Sequence, residues 1–147
     1  MPLITRVFIK SGLIFFLISL LIGIAARIDT FYFAAISPLF WHTLMVGWIT
    51  QIIMGVSMWM FPGRKKKESF RNQIWAWITF ILLNAGLGLR IISEPFVNYS
   101  APEFWKYLLL ISAILQFIAI CSYVIEIWLR VMSNKQRLKK RKAANQN

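Results

Sequence analysis

The sequence predicts an all-α membrane protein, an antiparallel up-and-down bundle of four transmembrane helices. Three observations lead there: a composition unsuited to a water-facing surface, four long apolar runs, and a one-sided placement of the basic residues. Of the 147 residues, 59% are hydrophobic and only 15% are charged, whereas a soluble domain keeps roughly a quarter of its residues charged. The mean hydropathy is +0.63. These values exclude a soluble enzyme. With one cysteine and one histidine, neither an internal disulfide scaffold nor a His-rich metal site can form within one chain.

The apolar runs occupy about residues 9–27, 39–61, 72–92 and 104–131, each close to the ~20 residues a helix needs to cross the hydrocarbon. Arg6 and Lys10 stand at the start of the first. It reads as a retained helix rather than a signal peptide, because Arg27 and Asp29 lead straight into the next span with no mature domain between. Pro62-Gly63 and the basic run Arg64-Lys65-Lys66-Lys67 end the second helix: proline cannot continue it and the charges resist lipid. This short loop makes helices two and three antiparallel neighbours. Ser93-Glu94-Pro95 stops the third helix, and Ser100-Ala101-Pro102-Glu103 supplies an N-cap followed by proline and acid for the fourth. Trp41, Trp75, Trp105, Tyr107 and Trp128 stand near span ends, where aromatic belts form. The transmembrane domain thus covers residues 1–132, and residues 133–147 form a basic tail suited to anionic lipid.

The net charge of +12 does not indicate nucleic acid, because the charges sit in loops and tail rather than on a folded basic face. Arg6, Lys10, the loop from Arg64 to Arg71 and the tail all fall on one side, and only Arg27, Arg90 and Lys106 on the other. The positive-inside rule then places both termini in the cytoplasm, and the strong bias suits a cell inner membrane.

Ionisable and polar residues within spans are the functional candidates, since lipid makes them costly. His42 lies a few residues into the second helix, near the outer face. Its imidazole has three available roles: ligand to heme iron or copper, proton relay, or hydrogen-bonding partner of a neighbouring helix or headgroup. Arg27 and Arg90 end their helices at the same level, suited to carboxylates such as heme propionates or to pairing with Asp29, Glu94 or lipid phosphate. Ser19, Gln51, Asn84 and Gln116 are expected to form a midplane layer of interhelical hydrogen bonds. On a regular helical wheel, Gly47, Gln51 and Gly55 form a small face opposite His42, with Met54 and Met58 beside it. Cys121 and Glu126 lie in the inner half of helix four, too deep to share a site with His42, and Glu126 and Arg130 are spaced as a helical ion pair.

The run His42-Thr43-Leu44-Met45-Val46-Gly47-Trp48-Ile49-Thr50-Gln51, continuing through Gly55 to Trp59-Met60-Phe61-Pro62, resembles helix two of the catalytic subunit I of heme-copper (cytochrome c) oxidases. Leu83-Asn84-Ala85-Gly86-Leu87-Gly88-Leu89-Arg90 and Glu126-Ile127-Trp128-Leu129-Arg130 further resemble small four-helix relatives of that subunit and, more distantly, NnrS-type heme and copper membrane proteins. The resemblance implies a b-type heme, or copper, bound through His42. Arg27 and Arg90 would meet its propionates, and Met45 or the His42 of a second copy would supply the sixth ligand. It further implies a homo-oligomer with a redox or respiratory-chain partner, and a role in electron transfer, redox or gas sensing, or heme handling. The further histidines of an oxidase are missing, so no reaction of its own is expected. Two other readings stay open: a cofactor-free interaction or assembly subunit, and a small-molecule transporter using the midplane layer.

Overall fold

A computed structural model describes residues 2–28, 36–61, 74–97 and 102–130. Four helices are long and apolar enough to cross a membrane: α1 (Leu3–Ala25), α2 (Ile36–Met60), α3 (Ile74–Ser93, continued by a 3₁₀ turn over Glu94–Phe96) and α4 (Glu103–Arg130). At 1.5 Å per residue, the 23 residues of α1 run roughly 35 Å, enough for a bilayer core. Large apolar side chains such as Leu13, Leu17, Leu21, Ile53, Ile81, Phe117 and Trp128 point outward, which fits a protein whose solvent is lipid.

The first span begins earlier than expected, at Leu3 rather than near residue 9, so Arg6 and Lys10 ride on the first turns of α1. Their long stems allow this, since the charged ends can reach the interface. The third helix stops at Ser93 as expected, with Pro95 inside the 3₁₀ turn. Helix α4 starts at Glu103, so Pro102 precedes it rather than standing in its first turn. The features expected at Asp29, Pro62-Gly63, the basic loop, Ser100 and the tail beyond residue 130 lie outside the described residues, as does the side chain of Arg130 beside Glu126.

The contacts establish antiparallel neighbours. A Cβ on Gly12, Gly23, Gly47 or Gly55 would meet Ile52, Phe40, Phe15 or Phe8 respectively, so positions on α1 rise as those on α2 fall. The most extensive packing pairs α1 with α2 and α3 with α4; α2 and α3 meet over a narrower seam. The core at their junction contains Phe8, Met54, Met58, Ala76, Leu83, Leu87 and Ala119, with Phe8 edge-on to Phe80 at 5.1 Å. Small residues set the closest approach. A Cβ at Gly86 would lie 2.9 Å from Gln116 Cγ and 3.0 Å from the Ser112 carbonyl oxygen, and Ser112 Oγ donates to the Gly86 carbonyl at 2.8 Å.

Helix α2 is irregular. Between the α-helical turns Ile36–His42 and Gln51–Met60 it widens into a π-helix over Thr43–Thr50, and the Thr50 hydroxyl donates to the Met45 carbonyl five residues back. A π turn takes roughly 4.4 residues, so the nine steps from His42 to Gln51 make about two whole turns instead of two and a half. The expected opposition of His42 and the Gly47, Gln51 and Gly55 face is therefore overturned. The glycines pack against α1, whereas Gln51 and His42 both reach toward the third helix and its 3₁₀ turn, Gln51 to Asn84 and His42 to Glu94.

Candidate functional site at one end of the bundle

His42 closes the first α-helical turns of α2, where Pro38 occupies a position whose missing N–H has no partner to lose. Its Nδ1 lies 2.8 Å from the Pro38 carbonyl oxygen and 3.5 Å from Glu94 Oε1. Carbonyl and carboxylate only accept, so Nδ1 carries the proton; in the neutral ring Nε2 then keeps a free lone pair. The side chain is one-third exposed, at 33%.

Glu94 starts the 3₁₀ turn that follows α3, which folds its carboxylate back over the end of α2. The side chain is 7% exposed, and its Oε1 also lies 3.6 Å from Arg90 Nε, four residues earlier. Glu94 Oε2 and Arg90 Nε make no hydrogen bond among the described residues. Three ionisable side chains from two helices thus meet at the end of the bundle where α2 begins and α3 stops. A carboxylate this enclosed carries a desolvation cost, and the guanidinium and imidazole beside it offset part of that cost.

Arg90 therefore faces Glu94. The pairing with Glu94 was one of its two expected roles; contact between that acid and His42 was not foreseen. The available signal was the arginine and glutamate four residues apart just before a proline, at the depth of His42. Arg27 is exposed beyond the end of α1 and makes no ion pair among the described residues. Met45, 42% exposed, lies on the outward side of the π segment. The four residues singled out from sequence thus divide: His42 and Arg90 converge through Glu94, whereas the side chains of Arg27 and Met45 make no hydrogen bond or ion pair with them among the described residues. Among the described residues no group of three His, Cys, Asp or Glu side chains could by itself hold a metal ion.

Deeper in the bundle, the polar layer has different members from those expected. Asn84 Oδ1 accepts from Ser11 Oγ at 2.9 Å and from Gln51 Nε2 at 3.2 Å, and its own amide donates to the Phe80 carbonyl. Ser19 instead bonds the Phe16 carbonyl on its own helix. The reason is the early start of α1, which brings Ser11 rather than Ser19 to the level of Gln51. Gln116 donates to Ser112 on its own helix, so α4 joins α3 through Ser112 and Gly86 instead. Nearer the cytoplasmic end expected for α2, Ser57 and Tyr123 share a 2.7 Å hydrogen bond. The side-chain oxygen of Gln51, Oε1, has no hydrogen-bond partner among the described residues.

Comparison of the chain with family models, with curated proteins and with solved structures gave no match.

His42 Nε2 is the one nitrogen these residues would offer to a heme iron. An imidazole whose Nδ1–H is held by a backbone carbonyl has its tautomer and ring orientation fixed, as a metal-ligating histidine requires. No second imidazole or thioether that would hold such a group bonds or faces His42 among the described residues.

Proposed function

We propose that the protein is a b-type heme-binding membrane protein of the inner membrane, with both termini cytoplasmic, and that His42 holds the iron through Nε2. The reading rests on one observation: His42 Nδ1–H donates to the Pro38 carbonyl at 2.8 Å, which leaves Nε2 with its lone pair on a partly exposed ring. The resemblance of the His42 to Gln51 run to an oxidase heme-ligating helix supports the same assignment. When bound, heme supplies a reversible one-electron couple and an iron centre open to diatomic gases.

The remaining roles belong to the chain. The Pro38 carbonyl fixes the ring tautomer, Glu94 stands behind the ring, and Arg90 holds Glu94. Arg27, exposed in the turn that follows α1, is the cation to which we assign a propionate. With one histidine per chain, pairing of two copies is the simplest source of a sixth ligand, either a second His42 or the outward Met45. The role we assign is electron transfer to or from a redox partner, redox or gas sensing, or heme handling. Copper is the alternative occupant of the same nitrogen.

The test is a visible spectrum of detergent-purified protein from heme-replete cells, oxidised and dithionite-reduced, beside His42→Ala. The expected result is a sharp reduced α-band that the variant lacks. A colourless wild-type protein that is also free of copper would refute the assignment and leave a cofactor-free assembly subunit as the reading. An unchanged band in the variant would remove His42 as the ligand.

A further inference from the structure

The seam between α2 and α3 holds a carboxylate whose placement the oxidase-like pattern does not explain. Glu94 is 5% exposed, yet one of its oxygens has no hydrogen-bond partner among the described residues. Replacing a buried ionic group by an apolar one of similar shape is often neutral or stabilising, so packing alone gives no reason for an acid here. Its geometry gives one. Oε1 stands 3.5 Å from His42 Nδ1 and 3.6 Å from Arg90 Nε. The Nδ1 proton itself is directed to Pro38 at 2.8 Å, so the carboxylate acts on the ring through its charge as well as by limiting its rotation.

We propose that Glu94 is the positioning residue of His42, steering Nε2 toward its ligand and making the imidazole a stronger electron donor, with Arg90 setting how much of the carboxylate charge the ring feels. This inference rests on the heme reading above. A negative charge behind Nδ1–H shifts electron density toward Nε2, and a more basic axial ligand stabilises Fe(III) over Fe(II). The helix ends supply the framework. The 3₁₀ turn at Glu94–Phe96 places the acid one helical turn beyond Arg90, and the Pro38-anchored start of α2 presents His42 to it.

The measurement is a spectroelectrochemical titration of the full-length heme-loaded protein in detergent, comparing wild type with Glu94→Gln and Glu103→Gln. Glu103 belongs to an exposed pair with Lys106 at the start of α4, so its replacement removes the same unit of charge from the outer end without touching His42. With heme content unchanged, Glu94→Gln is expected to shift the Fe(III)/Fe(II) equilibrium at least tenfold toward Fe(II). That is a rise of 59 mV or more in midpoint potential for a one-electron couple. Glu103→Gln is expected to leave the potential in place. If both variants move the potential equally, or Glu94→Gln does not move it, the inference is overturned while the heme assignment stands. A wild-type protein without heme overturns both. Should Glu94→Gln not fold, Arg90→Gln serves instead: unmasking the carboxylate should lower the potential, and an unchanged value would overturn the inference.

Discussion

Gly86 and Gly88 stand two residues apart on α3 and face opposite circumstances, so the same substitution at each separates packing from propensity. An added Cβ at Gly86 would lie 2.9 Å from Gln116 Cγ and 3.0 Å from the Ser112 carbonyl oxygen, whereas at Gly88 it would meet nothing within 4 Å. Gly86 is also the acceptor of the Ser112 hydroxyl. Alanine in place of a mid-helix glycine gains up to about 1 kcal/mol in propensity. At Gly86 two losses oppose this. Pushing α4 away from a backbone contact costs about 1–3 kcal/mol, and weakening the Ser112 bond costs about 0.6 kcal/mol. Gly86→Ala should therefore destabilise the protein by about 1–2 kcal/mol, and Gly88→Ala should be neutral or stabilising. The assay is SDS-driven unfolding from mixed micelles, followed by helical circular dichroism and tryptophan fluorescence. Equal effects at the two sites would refute the α3–α4 packing, as would a Gly86→Ala variant as stable as wild type.

Other consequences are open to the same assay or to spectroscopy. Asn84→Leu removes the shared acceptor of Ser11 and Gln51; the expected loss is about 1–2 kcal/mol, given roughly 0.6 kcal/mol for an average interhelical bond. No loss would mean that the cluster does not join three helices. Ser19→Ala, by contrast, removes only a bond within α1 and should leave the unfolding midpoint nearly unchanged. Tyr123→Phe should cost about 0.6 kcal/mol, since Ser57 retains its bond to the Met54 carbonyl. For His42, nitrogen-15 NMR of the heme-free neutral ring should show a protonated Nδ1 and a bare Nε2. Observation of the opposite tautomer would contradict both the Pro38 bond and the ligand assignment.

The sequence by itself determined that this chain has four spans and roughly where they stop, because those properties are local. Apolar length, Pro95 and the charges flanking each run act within a turn or two of the chain. It also identified His42, Arg90, Gln51 and Asn84 as residues too costly in lipid to be incidental. Tertiary structure decided which of them meet. A regular wheel of 100° per residue placed His42 opposite Gln51, and only the π segment, a feature of backbone hydrogen bonding rather than composition, brings it round to α3. The partnership with Glu94 followed from that rotation and from the 3₁₀ turn. Ser11 displaced Ser19 from the polar layer because the depth of a residue depends on where its helix begins, and α1 begins at Leu3. Gly86 and Gly88 are identical in sequence; the difference between a close helix contact and an open surface lies wholly in the neighbour that α4 presents. Contacts between residues distant in the chain depend on helix rotation and register, and small changes in either redirect every side chain along a face.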